Sequence, residues 1–240
     1  MALLLNIDTA TPYASVGISR DGTLLDMVTS DSQKEHAAFL QPAIATLVGR
    51  LGITLQGLDA IAVTIGPGSY TGLRVGLSSA KGLAYALGKP LVAVGTLEVM
   101  AHAARQAWVS TTAHGMGDAG FTPPGDQPAD APLFCPMIDA RRDEVFMAIY
   151  RGDGTVVLEP MALILTPEAF APYIANTLIF SGDGSLKWKP RFSSNKARFL
   201  LIQHSVANLA PLAEARYGAS ATADLAYLEP LYLKEFHKNA

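Results

Sequence analysis

The sequence predicts an α/β protein built from two domains that repeat one plan. Three strand-like segments followed by a helix and a further strand occur in both halves of the chain, and the first strand of each half ends in Ile-Asp. Half of the residues are hydrophobic, which is enough apolar material for two cores. We therefore expect two βββαβα domains, at 1–100 and 101–240, on either side of a cleft.

Three strands open the N-terminal half. Apolar and polar residues alternate in the first two, and turn residues separate the three, so we expect an antiparallel meander over 2–7, 12–19 and 23–29. Ser32 and Glu35 then fit a capping box, and apolar residues at helical spacing predict a helix over 33–48. The later N-terminal elements are predicted as a strand over 58–65, a helix over 72–87 and a strand over 90–94.

The C-terminal half follows the same order. We expect strands over 133–138, 144–150 and 155–159, a helix starting at Thr166, a strand over 177–181 and a helix over 205–217. The last helix is a candidate for packing back on the first domain. Residues 108–132 are rich in Gly, Pro, Ser and Thr and interrupt the plan, so we interpret them as a surface insertion.

Composition excludes several classes of protein. Only 16% of the residues are charged, and the longest stretch without Lys, Arg, Asp or Glu, 199–213, is too short for a membrane span. The N-terminus lacks the features of a signal peptide, and a single cysteine excludes an internal disulfide, so we expect a cytoplasmic protein. A net charge of −3 argues against a stand-alone nucleic-acid binder. The basic window 187–198 is either a solvated loop or a phosphate-contacting patch.

Two aspartates lie at the ends of the first strands, Asp8 in one half and Asp139 in the other. Facing each other across a cleft, they and the hydroxyls of Thr9 and Thr11 could hold a hydrated Mg²⁺ and nucleotide phosphates. Alternatively, each carboxylate ends its strand by accepting backbone N–H groups. Asp183, in a Ser-Gly-Asp-Gly turn, either approaches a nucleotide or only shapes the turn.

The segment from Gly66 to Arg74 (GPGSYTGLR) follows a strand and opens a helix. Backbone N–H groups at such a position can hold an anion, with Ser69 and Thr71 beside it. The segment is not a Walker loop and only approaches a dinucleotide fingerprint. Its glycines could instead let another protein's helix approach closely, or serve ordinary packing against the sheet.

Four segments resemble the bacterial TsaB (YeaZ) family: residues 5–11, 66–82, 139–145 and 181–184. The resemblance covers nearly the whole chain except 108–132. It implies the duplicated actin-like, Hsp70-like fold, also called ASKHA or RNase H-like, in agreement with the internal repeat.

The resemblance also implies a function. TsaB is a non-catalytic partner of its paralogue TsaD, and with the ATPase TsaE the complex transfers threonylcarbamoyl to N6 of adenosine 37 in tRNAs that read ANN codons. TsaD holds its metal on a His-x-x-x-His helix, whose ligand positions correspond here to Thr96 and Met100. We therefore expect no metal, no catalysis by the chain alone and no cofactor of its own, with ATP or ADP binding weakly or at the complex interface left open.

If the chain is such a non-catalytic scaffold, we expect its two N-terminal helices to form a helix bundle with TsaD. The candidate contact residues are His36, Leu40, Ile44, Leu73, Arg74, Leu77 and Lys81. We expect tRNA to be reached only through the complex, and a homodimer to use the same helices when TsaD is absent. Two alternatives stay open, a Mg-ATP-dependent small-molecule kinase of the actin-like fold and an inactive homodimer resembling M22 peptidases.

Overall fold

A computed structural model describes residues 1–30, 35–113 and 131–234. These residues form two five-stranded mixed sheets with helices. They divide into two compact units, residues 1–99 with 204–232, and residues 100–203 with those from 233 onward. The segment 204–232 therefore belongs to the first unit, although it follows the second sheet in the chain.

The first sheet has five strands: β1 (Leu3–Asp8), β2 (Ala14–Arg20), β3 (Thr23–Ser30), β4 (Ala60–Thr64) and β5 (Leu91–Val94). The antiparallel pairing of β1 with β2 and of β2 with β3 confirms the predicted meander. β4 runs parallel to β1, and β5 runs parallel to β4. The resulting order is β3-β2-β1-β4-β5, which makes β1 the central strand.

The second sheet repeats this topology with β6 (Leu133–Asp139), β7 (Glu144–Tyr150), β8 (Val156–Ile164), β9 (Leu178–Ser181) and β10 (Ala197–Leu200). Its order is β8-β7-β6-β9-β10, with the first three strands antiparallel and the last two parallel to β6. Counted from its own first strand, each sheet has the same order. This identity of topology confirms the predicted duplication.

Alternation along β1 supplies apolar side chains to both faces of the first sheet. Leu5 and Ile7 enter a core with Leu47 and Leu77, on the side covered by α1 (His36–Leu51) and α2 (Tyr70–Leu87). Leu4 enters a separate cluster with residues of α5 (Val206–Gly218). The first sheet is therefore covered by helices on both faces, which explains why all of β1 is buried.

The ends of α1 and α2 follow from local chemistry. Ser69 caps α2 by accepting the Gly72 N–H at 3.3 Å, and Gly88 closes the helix in the left-handed conformation. α1 begins after Glu35, later than predicted, and Pro42 lies inside it. Ser32, the other half of the predicted capping box, lies outside the described residues, and Glu35 is the N-cap itself without a side-chain cap bond.

The C-terminal half differs from the prediction in several elements. Thr166 precedes a 3₁₀ helix, Pro167–Tyr173, instead of an α-helix, and its side chain makes no capping bond. Sequence reasoning missed α4 (Gly184–Trp188) and β10, because each is only four or five residues long. The predicted last helix is confirmed as α5, which Ser205 opens with Asn208 in a capping box.

The predicted insertion at 108–132 begins inside a helix. α3 (Thr96–Ala113) includes the first residues of that range, and residues 114–130 lie outside the described part of the chain. Across the described ranges, no helix is both long and apolar enough to cross a membrane.

Candidate functional site

The Asp8 carboxylate is buried at the carboxyl end of β1, with 1% of the residue exposed. Its Oδ1 accepts the Ala10 N–H at 3.0 Å and the Thr64 hydroxyl at 2.8 Å. Oδ2 lies 3.2 Å from His204 Nε2, an ion-pair contact rather than an aligned hydrogen bond. Burial alone would raise the pKa of Asp8, but the charge of His204 and the hydrogen bonds outweigh burial and lower it.

The hydroxyls predicted beside Asp8 also have partners within the first unit. Thr9 donates to the Gly72 carbonyl at 2.7 Å, and Thr11 donates to the Tyr13 carbonyl at 3.3 Å. Ser69 is occupied as the N-cap of α2, whereas Thr71 is exposed in the first turn of that helix. Most of the oxygens predicted to hold Mg²⁺ or phosphate in this unit are therefore engaged in its own folding.

The glycines of the Gly66–Arg74 segment pack against the chain that leaves β1. A Cβ added at Gly68 would lie 2.2 Å from the Ala10 carbonyl oxygen, and one at Gly72 would lie 2.1 Å from the Thr9 carbonyl oxygen. The Ser69 N–H, which an anion would need, donates to Ala10 at 2.7 Å. Core packing is thus the role of these glycines here, and the segment does not fit a phosphate cradle or a hydrated Mg-nucleotide.

Asp139 repeats in the second unit what Asp8 does in the first. Its Oδ1 accepts the Arg141 N–H at 2.6 Å, two residues on, and forms an ion pair with Lys187. Its own N–H donates to Asp183 Oδ1 at 3.0 Å. Both aspartates therefore accept a backbone N–H two residues ahead, which confirms the strand-terminating alternative. A shared Mg²⁺ site for Asp8 and Asp139 stays a prediction.

The predicted partner-contact residues fall into two groups. Leu40, Ile44, Leu73 and Leu77 are each at most 4% exposed, and His36 is 2% exposed with its Nε2 3.3 Å from the Pro12 carbonyl oxygen. This corrects the expectation that the leucine and isoleucine side chains form a surface, because the stripes of both helices face their own sheet. Partner contact stays a prediction only for the two basic residues.

The two basic residues contact the C-terminal part of the first unit. Arg74 is exposed, lies 4.0 Å from the Tyr70 ring centroid and donates to the Tyr232 hydroxyl at 3.1 Å. Lys81 is half-buried and donates to the Leu228 carbonyl at 3.1 Å. The residues up to Tyr232 therefore pack beside α2.

The exposed sides of α1 and α2 form a surface that we call the outer face. Its residues are small or uncharged, except for Arg74 of α2 and Arg50 in the last turn of α1, which pairs with Asp26. They are Ala37, Ala38, Gln41, Pro42, Ala45, Thr46, Gly49 and Arg50 of α1 and Thr71, Arg74, Ser78, Gly82, Tyr85 and Ala86 of α2. Sequence reasoning missed this face, although the scarcity of charged residues opposite the leucine stripes was a visible signal.

Comparisons with known proteins agree along most of the chain. A family model described as TsaD, tRNA N6-adenosine threonylcarbamoyltransferase, matches residues 26–228. The tRNA threonylcarbamoyladenosine biosynthesis protein TsaB of Escherichia coli K12 is 27% identical, over 96% of this chain and 94% of its own. TsaB of Bacillus subtilis 168 is 31% identical, over 62% of this chain and 55% of its own.

Solved structures show the same relationship. YeaZ from Pseudomonas aeruginosa matches with a TM-score of 0.73 at 25% identity, over 97% of this chain and 100% of its own. A second structure, of a protein with similarity to peptidase YeaZ from that organism, matches with a TM-score of 0.75 at 25% identity, over 98% and 100% of the two chains. The chain belongs to the TsaB (YeaZ) family. Its fold is the duplicated α/β fold of the actin-like type.

The family resemblance predicted that Thr96 and Met100 occupy the positions of the TsaD metal ligands. Both lie in the first turns of α3 and are buried, at 0% and 4% exposure. Among the residues that the structure describes, no three His, Cys, Asp or Glu side chains come together as a metal site. Threonine and methionine are poor ligands for a hard or borderline cation, so the absence of a metal stays our expectation.

Proposed function

We propose that this chain is a non-catalytic scaffold subunit that binds and activates TsaD during threonylcarbamoylation of N6 of adenosine 37 in ANN-decoding tRNAs. Both relatives are named for tRNA threonylcarbamoyladenosine biosynthesis, and the family model carries the name of the transferase. Similarity to the E. coli protein extends over almost the full length of both chains. This extent supports a role for the chain in the same pathway.

The observation that carries the scaffold role is the composition of the outer face. A helix that faces water normally carries charged residues on its exposed side. The outer face instead presents Ala45 at the centre of α1 and Ser78 and Gly82 on α2, all exposed. Small side chains allow a second pair of helices to approach closely, and uncharged ones carry little desolvation cost on burial. These properties suit a helix-bundle contact with TsaD.

The contacts of the Asp8 and Asp139 carboxylates support a role in which this chain is not itself catalytic. Asp8 is buried among partners of its own unit, and Asp139 is engaged by Lys187 and the Arg141 N–H. Burial and pairing leave Asp8 poorly placed to act as a general base, and the Oδ1 atom of Asp139 is already occupied. In the proposal, TsaD supplies the transferase centre, TsaE supplies ATPase activity, and tRNA is reached through the complex.

Charge placed on the outer face tests the proposal. We expect Ala45→Glu to raise the Kd for TsaD by at least about tenfold, since a buried unpaired carboxylate costs well over the 1.4 kcal/mol that a factor of ten represents. The matched control is Ala215→Glu, the same change at an exposed position of α5, on the opposite face of the first sheet. Titration calorimetry of each purified variant against TsaD measures both affinities.

The control should bind TsaD as the wild type does. Equal affinities for wild type and Ala45→Glu would remove the outer face from the contact. Sedimentation of the chain alone then tests the predicted homodimer, which Ala45→Glu should convert to monomer. Tight Mg-dependent binding of ATP to the isolated chain, with turnover, would favour the kinase alternative and contradict the scaffold.

A further inference from the structure

The turn between β6 and β7 displays two neighbouring arginines, Arg141 and Arg142, both exposed. Their φ angles are +67° and +51°, in the left-handed region. Residues with a Cβ occupy this region at a cost on the order of 1 kcal/mol or more each, and only where surrounding contacts hold them there. The contacts around this turn therefore decide where the two guanidinium groups are presented.

Side chains from three places hold the backbone of this turn. Asp139 accepts the Arg141 N–H at 2.6 Å from within β6, and Lys187 of α4 donates to the Arg142 carbonyl at 2.7 Å. From the C-terminal end of the described chain, Lys234 donates to the Ala140 carbonyl at 3.1 Å. The arginines thus extend from a turn whose carbonyls are fixed by two ammonium groups, rather than from a loose loop.

The charges around the turn do not balance locally. Lys187 pairs with Asp139, Arg191 with Asp143 and Lys234 with Glu144. No carboxylate among the described residues forms an ion pair with Arg141 or Arg142, although the charge of Arg141 acts on Asp139 and helps to lower its pKa. A further acid, Asp183, joins the network by accepting the Asp139 N–H.

Arg142 also lies close to another cation. After burial, the charge of Arg142 is what lowers the pKa of Lys234. The turn therefore carries a net positive charge, although the net charge of the chain is −3.

A pair of preorganised guanidinium groups suits phosphate oxygens, because the planar fork of arginine donates two parallel hydrogen bonds to them. A polynucleotide backbone offers such groups at regular spacing, and cations that contact it act independently of base sequence. We propose that Arg141 and Arg142 contact the phosphate backbone of the tRNA substrate. This inference rests on the proposed function, because it takes its ligand from the tRNA-modifying complex.

Salt-dependent binding of tRNA to the complex of this chain with TsaD and TsaE tests the inference. We expect Arg141→Ala and Arg142→Ala each to weaken binding several-fold at low salt. Each should also reduce the slope of log Kd against log salt concentration by about 0.7–0.9 for every phosphate that the variant no longer neutralises, the lower value applying to single strands and the higher to duplex. The matched control is Arg151→Ala, an exposed arginine at the opposite end of β7, which should leave affinity and slope unchanged. Arg142→Lys keeps the charge and should retain most of the slope.

Each outcome has a defined meaning. Unchanged affinity and slope in both alanine variants would overturn the inference, and so would a loss identical to that of Arg151→Ala. Loss of TsaD binding in these variants, with normal thermal stability, would make the turn a protein contact and also overturn it. Failure of the proposed function has a different signature, since tRNA modification would then proceed at full rate with the chain omitted.

Discussion

The buried pair of Asp8 and His204 joins the end of β1 to the residues that precede α5. Exposure is 1% for the aspartate and 8% for the histidine, so the Asp8 carboxylate relies on His204 and on nearby donors. Breaking a buried pair from one side leaves an uncompensated charge, which typically costs about 3–5 kcal/mol. Within the first unit, these two side chains connect segments that are far apart in sequence.

We predict that His204→Ala lowers the free energy of unfolding by about 3 kcal/mol at neutral pH, measured by urea denaturation. Removing His204 takes away the largest cause that lowers the pKa of Asp8 and leaves burial, which raises it, so we predict a higher pKa of folded Asp8 in this variant than in the wild type. Stability that depends on a raised carboxyl pKa is present at low pH and is lost as pH rises. The destabilisation should therefore shrink as pH falls toward about 4.

The double variant Asp8→Asn/His204→Ala is the control for this prediction. It removes both charges while the asparagine carbonyl can still accept from Ala10 and Thr64, so it should be less destabilised than His204→Ala alone. A single variant as stable as the wild type at every pH would show that the pair contributes nothing.

In the wild type, the stability that Asp8 contributes depends on pH in the opposite direction. The lowered pKa of Asp8 contributes stability above the unfolded carboxyl value, and this is lost only as pH falls through the folded value.

At the scale of residues, the sequence predicted the two aspartates as site residues but not the side chains that pair with them. An acid at the end of a strand predicts a backbone N–H two residues ahead, because the contact is local, and the Asp8 and Asp139 bonds confirm it. His204 lies nearly 200 residues from Asp8 and could not be assigned from one sequence. Only the fold brings such residues together.

At the scale of elements, α2 uses its two sides differently. Gly72 lies against the chain that leaves β1, where a Cβ would meet the Thr9 carbonyl oxygen, whereas a Cβ at Gly82 would meet nothing within 4 Å. Both residues belong to the same helix, Gly72 to its first turn and Gly82 to its interior. The helix therefore contains its own matched pair of glycines, one packed and one exposed.

We predict opposite effects for the same substitution at these two glycines. Gly72→Ala should destabilise the protein by several kcal/mol, because backbone has to move away from the new methyl group. Gly82→Ala should stabilise it by about 0.5–1 kcal/mol through helix propensity. Urea denaturation measures both changes. Equal effects of the two substitutions would contradict the assignment of the packed and outer sides.

The positions of the apolar stripes on α1 and α2 were predicted correctly, but the surface against which they pack was predicted wrongly. Spacing of Leu73 and Leu77 shows that a helix has an apolar side, but it does not say whether that side meets the helix's own sheet or another protein. The burial of both residues assigns the stripe to the first unit's core. The pattern in a single sequence shows that a helix face is apolar and will be buried, and only the fold shows which surface buries it.

At the scale of the whole molecule, the duplicated topology was the most accessible feature of the sequence. The repeat of three strands, a helix and a further strand survives as two sheets of identical order. The short elements of the second unit, such as α4 and β10, escaped because a few residues carry too little periodicity to be recognised. Recognition of the TsaB motifs agreed with the repeat, and the comparisons confirmed the family.

The proposed role predicts that the rate of tRNA modification by the complete complex depends on this chain. A scaffold contributes no reacting group, yet the reaction should depend on it as strongly as on the enzyme that it organises. The outer face is the part of this chain that should carry that dependence, and Ala45→Glu separates it from correct folding when Ala215→Glu serves as the control.

The most direct measurement is the rate of threonylcarbamoyladenosine formation on tRNA in a reaction reconstituted from TsaD, TsaE and this chain. We predict that omitting the chain, or replacing it with Ala45→Glu, lowers the rate by at least about tenfold, a change of about 1.4 kcal/mol. The chain alone should form no product. Product formation at the full rate without the chain would contradict the account.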